Sequence, residues 1–256
     1  MDDPATLARL AALVESSDDA IISKDLDGII RTFNPAAERI FGYSAKEIIG
    51  QPVLRLIPED RWEEEEIILA KLRRGERIDH FETVRRRKDG TLIDISLTVS
   101  PIHNASGHVI AASKIARDIT ERRKRAQLEA QLAAIVESSD DAIISKNLDG
   151  IVLSFNRAAE RMFGYHADEV IGRSIQMLIP ADRDGEEDRI LARLRRGERI
   201  EHYETVRQSK DGRRIEVSLT ISPIRDETGK IVGASKVARD ISEAKRAEEL
   251  LAAHQE

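Results

Sequence analysis

At 256 residues the chain is long for one domain and comfortable for two of roughly 120, each large enough to bury its own core. Hydrophobic residues at 41% and charged residues at 34% describe a soluble globular protein, while a net charge of −6 and 4% aromatic residues supply neither a positive field for phosphate backbones nor stacking platforms for single strands. The lack of cysteine removes disulfides, thiolate metal sites and cysteinyl adducts, and no apolar run reaches the roughly 18 residues that span a bilayer, so a cytoplasmic protein touching neither nucleic acid nor membrane is expected.

In chain order, residues 1–19 are expected as a leading helix with an apolar stripe over Ala5 to Val14, closed by Asp18-Asp19. Ala20 to Lys24 and Gly28 to Phe33 read as a hairpin around Leu26-Asp27-Gly28. Asn34 is an N-cap with Pro35 in the first helical position of a short helix through Ala37, Ile40 and Phe41, which Gly42 ends. Ser44 to Ile49 forms another helical turn. Asp60 to Arg74 reads as one long helix with Ile68, Leu69 and Leu72 on its buried face and Gly75 as its stop. Arg77 to Arg86, Leu92 to Ile102 and Val109 to Ile119 are strands, the middle one alternating Ile93, Ile95, Leu97 and Val99 against Asp94, Ser96, Thr98 and Ser100.

From Thr120 to about Glu137 a helical linker carries Leu128, Leu132, Ile135 and Val136 at spacings of four and three, which suit pairing with another helix. The series then repeats. Residue n matches residue n+122 without insertion from Leu10 and Leu132 to Asp118 and Asp240, with roughly three positions in five identical. A period of that length is a whole domain and not one layer of a solenoid. Trp62 and Ile67 are replaced by Asp184 and Arg189 in the second copy, which points both positions outward. The expected architecture is α+β: two tandem five-stranded antiparallel sheets at 20–119 and 140–241, short helices on one face of each, a helical linker at 120–139 and an exit helix at 242–256.

This order of elements, together with Phe33 to Tyr43, Arg87-Lys88-Asp89-Gly90 and the closing Arg117-Asp118-Ile119-Thr120-Glu121-Arg122, closely resembles the PAS sensory family. The same motifs recur at Phe155 to Tyr165, Lys210 to Gly212 and Arg239 to Glu243. The resemblance implies a small cavity between the sheet and its helices that often holds a ligand. Cavity candidates are Ile22, Phe33, Phe41, Ile57, Ile68, Leu72, Ile95 and Leu97, with Ile144, Phe155, Phe163, Ile179, Ile190, Leu194, Val217 and Leu219 in the second copy; all serve equally as plain core. Aliphatic walls with few polar groups suit an apolar ligand or none. Haem-binding members carry an axial histidine shortly after an Asp-Arg pair like Asp60-Arg61, where this chain has Glu64 and Glu186, so haem of that type is not expected. Noncovalent flavin stays open, and the cofactor, if any, is unknown.

The resemblance further implies that Asp118 with Thr120, and Asp240 with Ser242, form the junction that hands a signal to the following helix, the hydroxyls capping it. It implies a parallel homodimer through Ala5 to Val14 and the 120–137 helix, and a partner or fused kinase- or cyclase-type output, the chain being a piece of a longer protein or a stand-alone adaptor. His80 and His202, repeated at the start of the third strand, are either metal, haem or pH-responsive groups or ordinary strand histidines. Arg122 to Arg125 is a nucleic-acid patch or a solvated helix face, and His254 a phosphoacceptor or an exposed terminus. No catalytic or ATP-binding motif is present, so no enzyme is expected; the readings are a sensory module, a ligand-free interaction module and, third, an enzyme or DNA-binding protein.

Overall fold

Alternation starts the sheet of each domain. In β1 (Ala20–Asp25) every second side chain points inward, and Asp25 then organises the turn: its carboxylate accepts from Asp27 N and Ile29 N while Gly28 adopts φ 82°. That geometry holds Gly28 in the turn, so β2 (Ile30–Phe33) begins two residues later than its apolar run suggests. The computed structural model describes residues 3–253 and divides the chain into two units, Met1–Leu128 and Glu129–Glu256.

In the first unit, α1 (Pro4–Glu15) precedes β1, and none of its described side chains is buried. Asn34 caps α2 (Pro35–Phe41) through Ala37 N, and Gly42 closes it in the left-handed region at φ 77°. After α3 (Ala45–Ile48), two 3-10 turns at Val53–Leu56 and Glu59–Arg61 lead into α4 (Trp62–Arg73). The single helix expected over Asp60 to Arg74 is therefore a 3-10 turn followed by a shorter α-helix. On α4, Ile68 and Leu72 are buried, Leu69 is half-buried, and Trp62 and Ile67 are exposed. Strands β3 (Ile78–Arg86), β4 (Leu92–His103) and β5 (Val109–Asp118) complete an antiparallel sheet in the order β2-β1-β5-β4-β3. β4 buries Ile93, Ile95, Leu97 and Val99 against the helices, as its alternation requires. α5 (Thr120–Glu137) follows with Leu128, Leu132 and Ile135 exposed.

The second unit repeats the plan with β6 (Ala142–Asn147), β7 (Val152–Phe155), α6 (Arg157–Phe163), α7 (Ala167–Val170) and α8 (Glu186–Arg195). β8 (Ile200–Gln208), β9 (Arg214–Arg225), β10 (Ile231–Asp240) and α9 (Ser242–Ala253) follow, and the sheet order is β7-β6-β10-β9-β8. The largest local difference precedes α8. Gly185 sits at φ 77° where the first copy has Glu63, so α8 begins at Glu186 while α4 begins two positions earlier, at Trp62.

Candidate functional site

Between sheet and helices the first unit encloses a cavity of about 20 Å³, and the second one of about 10 Å³. The structure brings Ile22, Phe41, Ile57, Ile95 and Leu97 together around the first, and Ile144, Phe163 and Leu219 around the second. Phe33, Ile68 and Leu72, with Phe155, Ile179, Ile190, Leu194 and Val217, are buried in the surrounding core without lining the space. Drug-sized ligands occupy pockets of roughly 300 Å³ or more, and a water needs about 10–15 Å³. Spaces of this size hold at most about one water molecule; neither haem nor flavin fits this conformation.

The cavities are less apolar than the pattern of aliphatic residues suggests. Lys24, which is fully buried on β1, and Lys114 on β5 both meet Glu65 of α4, Lys114 at 2.7 Å. Beside them Arg85 of β3 donates from Nη1 to Glu64 at 2.8 Å, to Thr83 Oγ1 at 3.1 Å and to Val84 O at 2.8 Å. Thr83 also donates to Glu64, and Arg61 Nη1 holds Glu64 Oε1 at 2.9 Å from the mouth. Arg85 and Lys114 line the cavity itself. The second unit repeats the pairs as Lys146 and Lys236 on Glu187, and Thr205 and Arg207 on Glu186. Sequence reasoning missed this cluster, although each member recurs in both copies. Lys24 and Lys114 also stand at inward positions of their strands, between Ile22 and the turn and between Ala112 and Ala116.

Burial is the largest influence on all four lysines and pulls them below their ordinary value, helped at Lys24 by Lys114 and at Lys146 by Lys236. The carboxylates of Glu65 and Glu187, in direct contact with both lysines of their domain, act in the opposite sense. Burial alone would raise Glu64 and Glu186. Hydrogen bonds from Arg85, Thr83 and Arg61 in one case, and from Arg207 and Thr205 in the other, outweigh it and hold both carboxyls below the usual range.

At the exit of the first sheet, Asp118 Oδ1 accepts from Thr120 N at 2.9 Å, and Asp118 Oδ2 accepts from Arg87 at 3.0 Å. Thr120 Oγ1 accepts from Asp94 N on β4 at 3.0 Å. The hydroxyl expected to cap the helix instead joins it to the sheet, and the aspartate serves the first helical N–H. Ser242 Oγ likewise accepts from Glu216 N at 3.1 Å, and Asp240 accepts from Ser242 N. One turn later Arg123 reaches Asp94 and Glu82, and Lys245 reaches Glu204 and Glu216. At the other end of each domain, Asn34 does more than cap. Its Oδ1 accepts from Ile21 N and Ala37 N, and its Nδ2 donates to Val14 O at the end of α1 and to Asp19 O. Asn156 makes the same four bonds, including one to Val136 O.

The remaining nominations resolve simply. Asp19 and Asp141 do not cap helices; each forms a two-pronged ion pair, with Arg117 and Arg239. His80 and His202 are exposed at φ 50° where β3 and β8 bulge, and among the described residues no cluster of three metal-ligating side chains exists. In the basic run, Arg123 and Lys124 are engaged with Asp94, Glu82 and Glu121. His254 lies outside the described residues. No helix among the described residues is long and apolar enough to cross a membrane.

The family model of the PAS fold matches residues 8–119 and 130–241. The oxygen sensor protein DosP of Escherichia coli is 27% identical over 93% of the chain, which covers 30% of that protein. The biofilm dispersion protein BdlA of Pseudomonas aeruginosa is 29% identical over 93% of the chain and 57% of its own length. The signal transduction histidine-protein kinase AtoS of E. coli is 35% identical over 46% of the chain and 19% of its own length. The chain thus spans less than two thirds of each of these relatives.

Proposed function

The chain belongs to the PAS family, and on that premise we propose that it is a tandem sensory and relay module: a small molecule held inside a domain alters the sheet, and the change leaves along the helices after Asp118 and Asp240 to a kinase- or cyclase-type output. The observation that carries this reading is the junction. Thr120 joins the first turn of α5 to the backbone of β4, whose other face lines the cavity, so a displaced strand moves the helix with it. The histidine-protein kinase AtoS, among the relatives, supports an output of the kinase kind, and the oxygen sensor protein DosP supports a sensory role. The module works in the cytoplasm, where such outputs find their nucleotide substrates.

The working unit is a parallel homodimer. Leu7, Leu10 and Leu13 on α1 and Leu128, Leu132 and Ile135 on α5 are exposed at helical spacing, a stripe that water penalises and a second copy covers. Sedimentation of the chain tests this directly. A dimer that becomes a monomer in Leu10→Glu/Leu132→Glu supports it, and a wild-type monomer at micromolar concentration contradicts it. The small cavities favour one alternative, a ligand-free dimerisation module that passes strain between partners. Mass spectrometry of material released on denaturation separates the two readings.

A further inference from the structure

We infer that each domain carries a buried proton-binding site: Lys24 in the first and Lys146 in the second are uncharged amines in the folded chain and take up a proton on mild acidification. Only the use of that proton as a stimulus rests on the relay reading above. The site is defined by a shortage of counter-charge. Glu65 of α4 is shared by Lys24 on β1 and Lys114 on β5, and all three are buried. Glu64 is engaged by Arg85, Thr83 and Arg61, and Asp25, the next residue on β1, is turned to Arg31. Phe41, Val53, Leu56, Ile95 and Leu97 line the remaining sides without charge. Two ammonium groups would therefore face one carboxylate, with the guanidinium of Arg85 beside them. A charge left unpaired in such a place is relieved by losing a proton.

The contacts also select which amine is uncharged. The ends of Lys24 and Lys114 are close enough to hydrogen-bond each other, and that bond favours the charge on Lys114 and disfavours it on Lys24. An uncharged Lys24 suits both neighbours: an N–H donates to Glu65, and the lone pair accepts from the Lys114 ammonium. Burial, followed by Lys114, lowers Lys24 to about 5. The second domain repeats the arrangement with Lys146 and Lys236 on Glu187, and with Arg207 and Thr205 on Glu186. Burial, followed by Lys236, lowers Lys146 to about 6. The charge count is the same in both domains, so two sites per chain follow. A proton on Lys24 occupies the lone pair, breaks the bond from Lys114 and sets two ammonium groups against each other across the paired strands β1 and β5. Because β5 ends at Asp118, the repulsion acts on the strand that leads into α5.

The test is a pH titration of the whole 256-residue chain, isotope-labelled at the lysine Cε and read by NMR. Two lysine signals are expected to move as pH falls below about 7, whereas ordinary lysines change only near about 10.4. Lys24→Met removes one of the two and Lys146→Met the other. Should Lys24→Met unfold, Lys114→Met gives the same information: Lys24 then has Glu65 to itself, stays charged, and its signal no longer moves below neutrality. Denaturant melts supply a second readout. An uncharged Lys24 means that the unfolded chain binds one more proton than the folded domain, so stability rises with pH. Between about pH 7 and 9 the first domain's unfolding constant should fall about tenfold per pH unit relative to Lys24→Met. No lysine signal moving below about pH 8, or the same pH dependence in wild type and Lys24→Met, overturns the proposal. If the two signals move while the amide signals of Asp94 and Thr120 stay in place, the proton site holds and the relay through α5 fails.

Discussion

The two domains share a fold, a core and a buried ionic cluster, yet two neighbouring substitutions separate their interiors. Trp62-Glu63 gives α4 an early start and a glutamate shared with Arg61; Asp184-Gly185 gives α8 a late start and a glutamate buried on Arg207. The exits differ as well. Asp118 is paired with Arg87, whereas Asp240 faces a copy in which that position is Ser209. Two copies of one fold therefore differ in how the glutamate at the start of the long helix meets its arginine, shared with Arg61 in the first domain and buried on Arg207 in the second.

The largest effect is expected from breaking the shared part. Glu65→Gln and Glu187→Gln each leave two buried lysines without a counter-charge, at a cost of about 3–5 kcal/mol; each should lower only its own domain's transition in a denaturant melt. Rebuilding the second of these contacts comes next. Asp184→Trp/Gly185→Glu should lengthen α8 and draw Glu186 toward Arg183, stranding Arg207 at about 1–3 kcal/mol, read as a lower second-domain transition in the same melt. A smaller effect is set by pH. Because Glu186 is held below its ordinary value, its contribution is present above about 4.3 and is lost as pH falls through the lowered value. The stability gap between wild type and Glu186→Gln should therefore close on acidification; a gap unchanged down to pH 3 would contradict the pairing. Smallest is Arg87→Ser, which makes the first exit resemble the second. The pair is partly exposed, so about 0–1 kcal/mol is expected, together with faster amide exchange at the start of α5.

Much of this was legible in the chain itself. The 122-residue repeat, the alternation of β4 and the Asn34-Pro35 start of α2 each follow from local rules, and the structure keeps them. The ionic cluster was not legible, because a lysine in mid-strand reads as solvent-facing until its partner is known. Glu65 lies on a helix far along the chain, and only the fold brings it to Lys24 and Lys114. The split of the long helix at Trp62 was hidden similarly: Glu59 to Arg61 has helical composition, and the 3-10 turn after Pro58 is a matter of packing. The hydroxyl of Thr120 was expected to cap α5 and instead accepts from the Asp94 amide, since local capping rules do not foresee a β4 amide within its reach.

The claim that cavity and exit helix are coupled is tested most directly by a double-mutant cycle read by hydrogen exchange. Ala116→Val adds two methyl groups to the cavity wall on β5, and Thr120→Val removes the staple to β4 without touching the cavity. If the staple carries the coupling, Ala116→Val changes exchange in the first turns of α5 in the wild-type background and has no such effect once Thr120 is valine. Additive changes, or an α5 indifferent to Ala116→Val from the outset, would contradict it.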